Sequence, residues 1–233
     1  MKSVSSPPLQ SLSSVFRDAC LSMKEALLPG YILLSLAALL VFSYYKVPAV
    51  TQAMSFFAEL KGEWGYGFAF VCTSFFGGFM PWVFRMVLPG MRPKHVWGEL
   101  IFCILLWGME GMCIDTLYGI QNHLFGGGND FRTVASKVVL DQFGYTLIFA
   151  APLNGIAYFW KDVDFSFSRL REHLGRGWYR RLALPNYLSN MMIWLPGVSI
   201  VYCLPRDLQI LLAGLISCLF SLVCSFVAAR ADR

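Results

Sequence analysis

Five ionisable side chains lie in or at the edges of long apolar stretches of this chain: Arg85, Glu110, Asp115, Lys137 and Asp141, the last followed directly by Gln142. An unpaired charge near the centre of a bilayer costs about 2.5–3.5 kcal/mol even on a lenient insertion scale, so each of these groups needs a partner or water. Lys137 and Asp141 are four residues apart, which on a helix puts them on one face and predicts that they pair. Glu110 and Asp115 are five apart, about 140° around a helix, and need separate partners; Arg85 is the expected counter-ion for one of them. Two chemistries follow. The groups form buried ion pairs that fix helix packing, or they line a polar path for a solute or proton, while charges at span edges snorkel to the headgroups.

Covalent chemistry has little to stand on. The sequence holds no Gly-x-Ser-x-Gly, no His-Glu-x-x-His and no aspartate-rich metal motif, and His95, His123 and His173 lie far apart in loops. Its seven cysteines, Cys20, Cys72, Cys103, Cys113, Cys203, Cys218 and Cys224, are odd in number and contain no Cys-x-x-Cys pair. Neither a disulfide framework nor a zinc site is expected. Gly126-Gly-Gly-Asn-Asp lacks the Gly-Lys-Ser/Thr of a phosphate loop and reads as a turn. Asp162 and Asp164 read as solvated loop carboxylates. No enzyme activity, cofactor or metal is expected.

The elements that must carry these residues are apolar and long. Six stretches, roughly 27–45, 68–88, 100–118, 138–159, 185–202 and 208–228, each approach the ~20 residues that a helix needs to cross a bilayer core. The second is interrupted by Gly77, Gly78 and Pro81, and the fifth by Pro196 and Gly197, so a kink is expected in each. Four to six full spans are therefore expected, in an all-α transmembrane bundle forming one domain over 27–233 behind a flexible tail and juxtamembrane segment, 1–26. Composition agrees: 57% of residues are hydrophobic and 14% charged, against about 45–50% and about 25% in soluble proteins. The first residues lack the apolar core of a signal peptide and the Arg-rich pattern of a transit peptide, so insertion is expected to be directed by the first span.

Basic residues divide unevenly among the intervals. Of 19 Lys and Arg, 14 fall on one side: Lys2, Arg17 and Lys24; Arg85, Arg92 and Lys94; Lys161, Arg169, Arg171, Arg176, Arg180 and Arg181; Arg230 and Arg233. The other side holds Lys46, Lys61, Arg132, Lys137 and Arg206. The positive-inside rule then puts both termini on the cytoplasmic or equivalent side of a bacterial inner membrane or an organelle membrane, and the number of spans is even. The net charge of +5 sits beside the membrane, where anionic headgroups rather than nucleic acid are the expected partner.

Between 165 and 182, Phe167, Leu170, Leu174 and Trp178 recur at helical spacing among Arg169, Arg171, Arg176, Arg180 and Arg181, which reads as an amphipathic helix on an anionic leaflet, weakened by Gly175 and Gly177. An ordinary basic loop is the other reading. Gly62-Glu-Trp-Gly-Tyr-Gly reads as a loop with Trp64 and Tyr66 in the aromatic belt. Small residues a turn apart, Ser74 with Gly78, Gly108 with Gly111, and Ser221 with Ser225, favour close helix contact.

From 111 to 230 several elements occur in order: Gly111 seven residues before Tyr118, Lys137-x3-Asp141-Gln142, Pro152, Asn190-x3-Trp194-Leu-Pro196, and Leu204-Pro205. In these the chain resembles the Mpv-seventeen family of small peroxisomal and mitochondrial inner-membrane proteins. It departs from the family pattern at Met112 (for Pro), Leu117 (for Trp), Ser199 and Tyr202 (for Gln and Asn) and Gln209 (near a basic position). The resemblance implies a bundle in which the Asp-Gln and Trp-Pro elements come together, and channel-like behaviour toward a small solute or ion. A structural or scaffolding membrane protein and an intramembrane enzyme are the alternative classes, and a homo-oligomer is compatible with each.

The charge distribution makes a testable statement about orientation. A cysteine introduced at either terminus is expected to resist a membrane-impermeant maleimide in intact cells and to react after permeabilisation; labelling from outside reverses the assignment.

Overall fold

The computed structural model describes residues 12–88 and 90–231. Lys2, Arg233 and the tail before Leu12 lie outside the described residues, as do the side chains of Arg17, Cys20, Cys224, Ser225 and Arg230. Among the described residues the chain is helical, and we label its helices α1 (Leu12–Lys46), α2 (Pro48–Trp64), α3 (Tyr66–Val87), α4 (Val96–Phe125), α5 (Phe131–Asp162), α6 (Phe167–His173), α7 (Tyr179–Ala183 continuing as Leu184–Val201) and α8 (Arg206–Ala231). The apolar part of α1, Leu27–Lys46, together with α3, α4 and α5, is long and apolar enough to cross a membrane. The fifth and sixth apolar stretches are the helices α7 and α8.

Side-chain alternation on α1 separates two faces. Leu28, Ile32, Leu36, Leu39 and Phe42, at spacings of three and four, are exposed, whereas Leu34, Ala37 and Val41 are buried against the bundle. An outward apolar stripe of this kind suits a lipid surface. The same division puts Trp64 and Tyr66, expected in an aromatic belt, on the exposed surface. The helix α2 fills most of the interval between the first two apolar stretches and takes in Gly62 to Trp64 of the segment read as a loop. Pro48 presets its first turn, Gly65 (φ 52°) ends it, and Met54 and Lys61, seven residues apart, bury one face.

Prolines explain the irregular backbone. Segments Ser74–Phe79, Leu140–Ala150 and Tyr179–Ala183 are π-helical, and each ends two residues before a proline: Pro81, Pro152 or Pro185. A proline supplies no N–H and crowds the carbonyl one turn before it, so the preceding turn widens. The carbonyls that lose their donor find others. Five residues before Pro152, Leu147 O accepts the Tyr179 hydroxyl at 2.7 Å. Pro196 lies inside a continuous α7, and four residues before it Met192 O accepts the Tyr31 hydroxyl at 3.3 Å. Helical breaks in the second and fifth stretches are thus a π-helical widening in one and an uninterrupted helix in the other.

Small residues bring α3 against α4. Ser74 Oγ donates to Ile104 O at 2.8 Å, and a Cβ at Gly111 would stand 2.0 Å from Thr73 Oγ1, one at Gly78 2.8 Å from Cys103 O. The α5–α7 approach is similar, with a Cβ at Gly155 falling 2.7 Å from Leu182 O. The seam read from Ser74, Gly78, Gly108 and Gly111 is therefore real, because in lipid close backbone contact replaces the hydrophobic drive.

Ion pairs mark the two ends of the bundle. At one, Glu99 accepts Arg85 at 2.7 Å and lies 3.9 Å from Lys161, while His95 faces Asp164 at 3.6 Å. At the other, Tyr45 donates to Cys203 O at 2.6 Å, and Lys61 and Arg206 converge on Asp115. Segments that the basic-residue count assigns to opposite sides thus gather at opposite ends. The turn before α5 is capped by Asp130, which accepts the Thr133 N–H at 3.1 Å. The Thr133 hydroxyl, and after it that backbone bond, hold its carboxyl below the usual carboxylate range.

The amphipathic helix expected over 165–182 is not formed as one element. The helix α6 covers Phe167–His173, a turn through Gly175 and Gly177 (φ 83°) follows, and Tyr179–Ala183 opens α7. Gly177 takes a left-handed conformation that a continuous right-handed helix excludes. Arg169, Arg171 and Arg176 are exposed, whereas Arg180 and Arg181 are half-buried, Arg181 donating to His173 O at 3.1 Å.

Overpacking the α3–α4 seam should be costly. Gly78→Ala sets a methyl against backbone that cannot move aside and is expected to destabilise by about 1–3 kcal/mol, read as a lower melting temperature in detergent. Gly62→Ala, which lies in α2 and meets nothing within 4 Å, should leave melting unchanged or raise it slightly.

Candidate functional site

A cavity of about 240 Å³ opens between α3, α4, α5, α7 and α8. The widened stretch of α5 supplies Asp141, Gln142, Tyr145 and Thr146 to its wall, and the following α-helical turns add Asn154 and Tyr158. Opposite stand Trp107, Glu110 and Tyr118 from α4 and Asn186, Asn190 and Trp194 from α7. Close approach shapes the wall as well, since a Cβ at Gly77 would lie 2.8 Å from the Trp107 ring.

The Asp141 carboxylate is buried and held by three neutral donors. Oδ1 accepts Gln142 Nε2 and Thr146 Oγ1, both at 3.0 Å, and Oδ2 accepts the Tyr202 hydroxyl. The Thr146 bond needs the π-helical turn. On an α-helix, residues five apart diverge by about 140°, whereas an i to i+5 repeat stacks them on one face. Tyr202, which stands where the family pattern has Asn, packs edge-on against Tyr118 with centroids 5.4 Å apart, so α4, α5 and α7 meet at this one carboxylate. With Gln142 Nε2 committed to Asp141, Gln142 Oε1 is buried with no hydrogen-bond partner among the described residues.

Glu110 occupies the other side of the cavity and is 4% exposed. Both its oxygens accept Asn154 Nδ2, at 3.0 and 3.1 Å. The carboxylate thereby fixes the Asn154 amide with its nitrogen inward to Glu110, and Asn154 Oδ1 is left buried and unpaired among the described residues, as is the Tyr145 hydroxyl. No Lys, Arg or His lines the cavity among the described residues.

The remaining ionisable residues lie elsewhere, and two expected pairings are corrected. Lys137 is buried, but no ion pair joins it to Asp141 among the described residues; the Asp141 carboxylate is taken up by Gln142, Thr146 and Tyr202 instead. Its backbone carbonyl accepts Gln121 Nε2 at 3.0 Å. Arg85 serves neither Glu110 nor Asp115, because it binds Glu99 on α4 near the first end of the bundle. Asp115 takes Lys61 of α2 at 2.8 Å, with both side chains at most 5% exposed, and Arg206 at 4.0 Å. Gly119, one turn beyond Asp115, makes room for that guanidinium, whose Nη2 lies 3.2 Å from where its Cβ would be.

Of the family-like residues, Tyr118, Asp141, Gln142, Asn190 and Trp194 line the cavity. The expected meeting of the Asp-Gln and Trp-Pro elements thus occurs. Gly111 and Pro152 act through the backbone next to the cavity, Pro196 releases Met192 O, and Pro205 precedes α8. Sequence reading missed Lys61, Glu99, Asn154, Tyr145, Tyr158 and Asn186. A signal existed for three of them: Asn186 lies four residues before Asn190 in an apolar helix, and Asn154 four before Tyr158. Asp162 and Asp164 are engaged by Lys161 at 3.0 Å and by His95 and Arg169 at 3.6 and 3.8 Å.

A helical bundle with membrane-length apolar helices, lipid-suited faces outward and carboxylates inward defines an integral membrane protein of the all-α class. No protein-family model matches the chain, and no curated protein and no solved structure matches it.

Two substitutions separate the ion pair from the hydrogen-bonded carboxylate. Asp115→Asn leaves Lys61 buried without its counter-charge and should cost about 3–5 kcal/mol. Tyr202→Phe strips one donor from Asp141 and should cost about 1–3 kcal/mol. Chemical or thermal unfolding in detergent is expected to rank them in that order.

Proposed function

We propose that the protein is a channel or pore for small polar solutes or ions, with the cavity between α3, α4, α5, α7 and α8 as the solute seat. One observation carries this reading: two buried carboxylates, Asp141 and Glu110, face a space of about 240 Å³ within a bundle of membrane-length helices, and no basic side chain neutralises them there. Ionisable groups at membrane depth are costly and face the interior or a water-filled cavity where they serve a pathway. Irregular backbone at that depth is tolerated where it lines a cavity, which fits the π-helical wall of α5. The resemblance to the Mpv-seventeen family points the same way. In this reading both termini face the cytoplasmic or equivalent side, and the exposed Arg169, Arg171 and Arg176 meet anionic headgroups.

The buried Lys61–Asp115 pair, joined by Arg206, favours a second reading. It ties α2, α4 and α8 together as a structural membrane protein would require, without any flux. Purified protein in liposomes distinguishes the two. On the permeation reading wild type carries small solutes or ions, and Glu110→Gln alters charge selectivity while its melting temperature stays within a few degrees of wild type. Absence of conductance or flux from folded wild type at any tested potential or pH leaves the structural reading.

A further inference from the structure

The two carboxylates of the cavity and the amides that serve them share one deficiency, and it has a sign. Gln142 is 2% exposed and Glu110 4%, so neither exchanges its partners freely with bulk water. Gln142 Nε2 and Asn154 Nδ2 are turned to the two carboxylates, which leaves Gln142 Oε1 and Asn154 Oδ1 as acceptors without donors, beside the buried Tyr145 hydroxyl. Trp107 Nε1 is likewise spent, on the Tyr158 hydroxyl at 2.9 Å. What the wall holds is two carboxylates and two unpaired amide oxygens; what it lacks, among the described residues, is a cation.

We infer that the cavity binds a small organic ammonium ion, a protonated or quaternary amine. The inference deepens the permeation reading and takes the same cavity as its seat. A positive nitrogen next to Glu110 and Asp141 offsets charge that nothing else in the cavity offsets, and in a wall of low polarity that attraction is little screened. N–H groups, where the amine carries them, reach the unpaired amide oxygens. Trp107, Tyr145, Tyr158 and Trp194 line the cavity, and aromatic rings hold ammonium groups through the ring quadrupole. Size argues against a bare metal ion. The cavity is far larger than one ion, and the described residues contain no group of three or more His, Cys, Asp or Glu side chains that would hold a metal.

The test uses full-length protein in detergent, with melting temperature and radioligand binding as readouts. Choline and short primary alkylamines are compared with 3,3-dimethylbutanol, the neutral isostere of choline, and with sodium, magnesium and calcium chlorides at matched ionic strength. Saturable stabilisation by an ammonium ion, with the neutral isostere at least about tenfold weaker, is expected. Glu110→Gln should weaken the ammonium about tenfold or more and leave the isostere unchanged. Equal stabilisation by the isostere would make the cavity merely apolar, stabilisation by inorganic cations alone would make it an ion site, and no saturable effect would remove the site; each overturns the inference. The charged-against-neutral comparison is made on wild type and stands if Glu110→Gln does not fold. Binding in detergent and flux in liposomes fail separately: binding without flux retains the site and removes permeation, and flux without ammonium binding does the reverse.

Discussion

Inside a bilayer every backbone carbonyl needs a donor from the protein, and a proline withholds one. In α5 that constraint shapes the site. Pro152 forces the preceding turns into a wider helix, Leu147 O takes its replacement donor from Tyr179 on α7, and the same widening stacks Thr146 over Asp141. Were α5 an ordinary helix, Asp141 and Thr146 would face different ways and the hydrogen-bonded carboxylate would lose a donor. The cavity wall is thus a consequence of a backbone problem and its solution.

The acidic residues fall into two groups by what surrounds them. Asp115 and Glu99 lie toward the ends of the bundle and are matched by Lys61, Arg206, Arg85 and Lys161. Asp141 and Glu110 face the cavity and are held by hydroxyl and amide donors only. Neutral donors satisfy lone pairs without cancelling charge, so a carboxylate so held stays responsive to whatever enters beside it. A salt bridge of the first kind fixes geometry, since breaking either partner strands a buried charge. The bundle therefore separates structural charge from charge that is available.

Close packing makes that separation possible. The glycines at 78, 108 and 111 let α3 lie against α4 at backbone distance, and Gly77 admits the Trp107 ring, so the cavity is bounded by rings and backbone. Large apolar side chains are left to face outward, as on α1, where lipid serves as solvent.

The sequence by itself determined that this is an all-helical membrane protein, because the length and apolarity of its stretches leave few other folds; the resemblance drawn from it named Asp141, Gln142, Tyr118, Asn190 and Trp194, which line one cavity. It also exposed the small-residue seam through the spacing of Ser74, Gly78, Gly108 and Gly111. Tertiary structure alone decided the pairings. Lys137 stands four residues from Asp141, yet Thr146, five residues away on the widened helix, takes the carboxylate; Asp115 finds Lys61, 54 residues away, on α2. Spacing along a chain predicts partners only while the helix keeps its regular pitch and the partners share it. Where a proline changes the pitch, or the partner arrives from another helix, the choice belongs to the packed bundle.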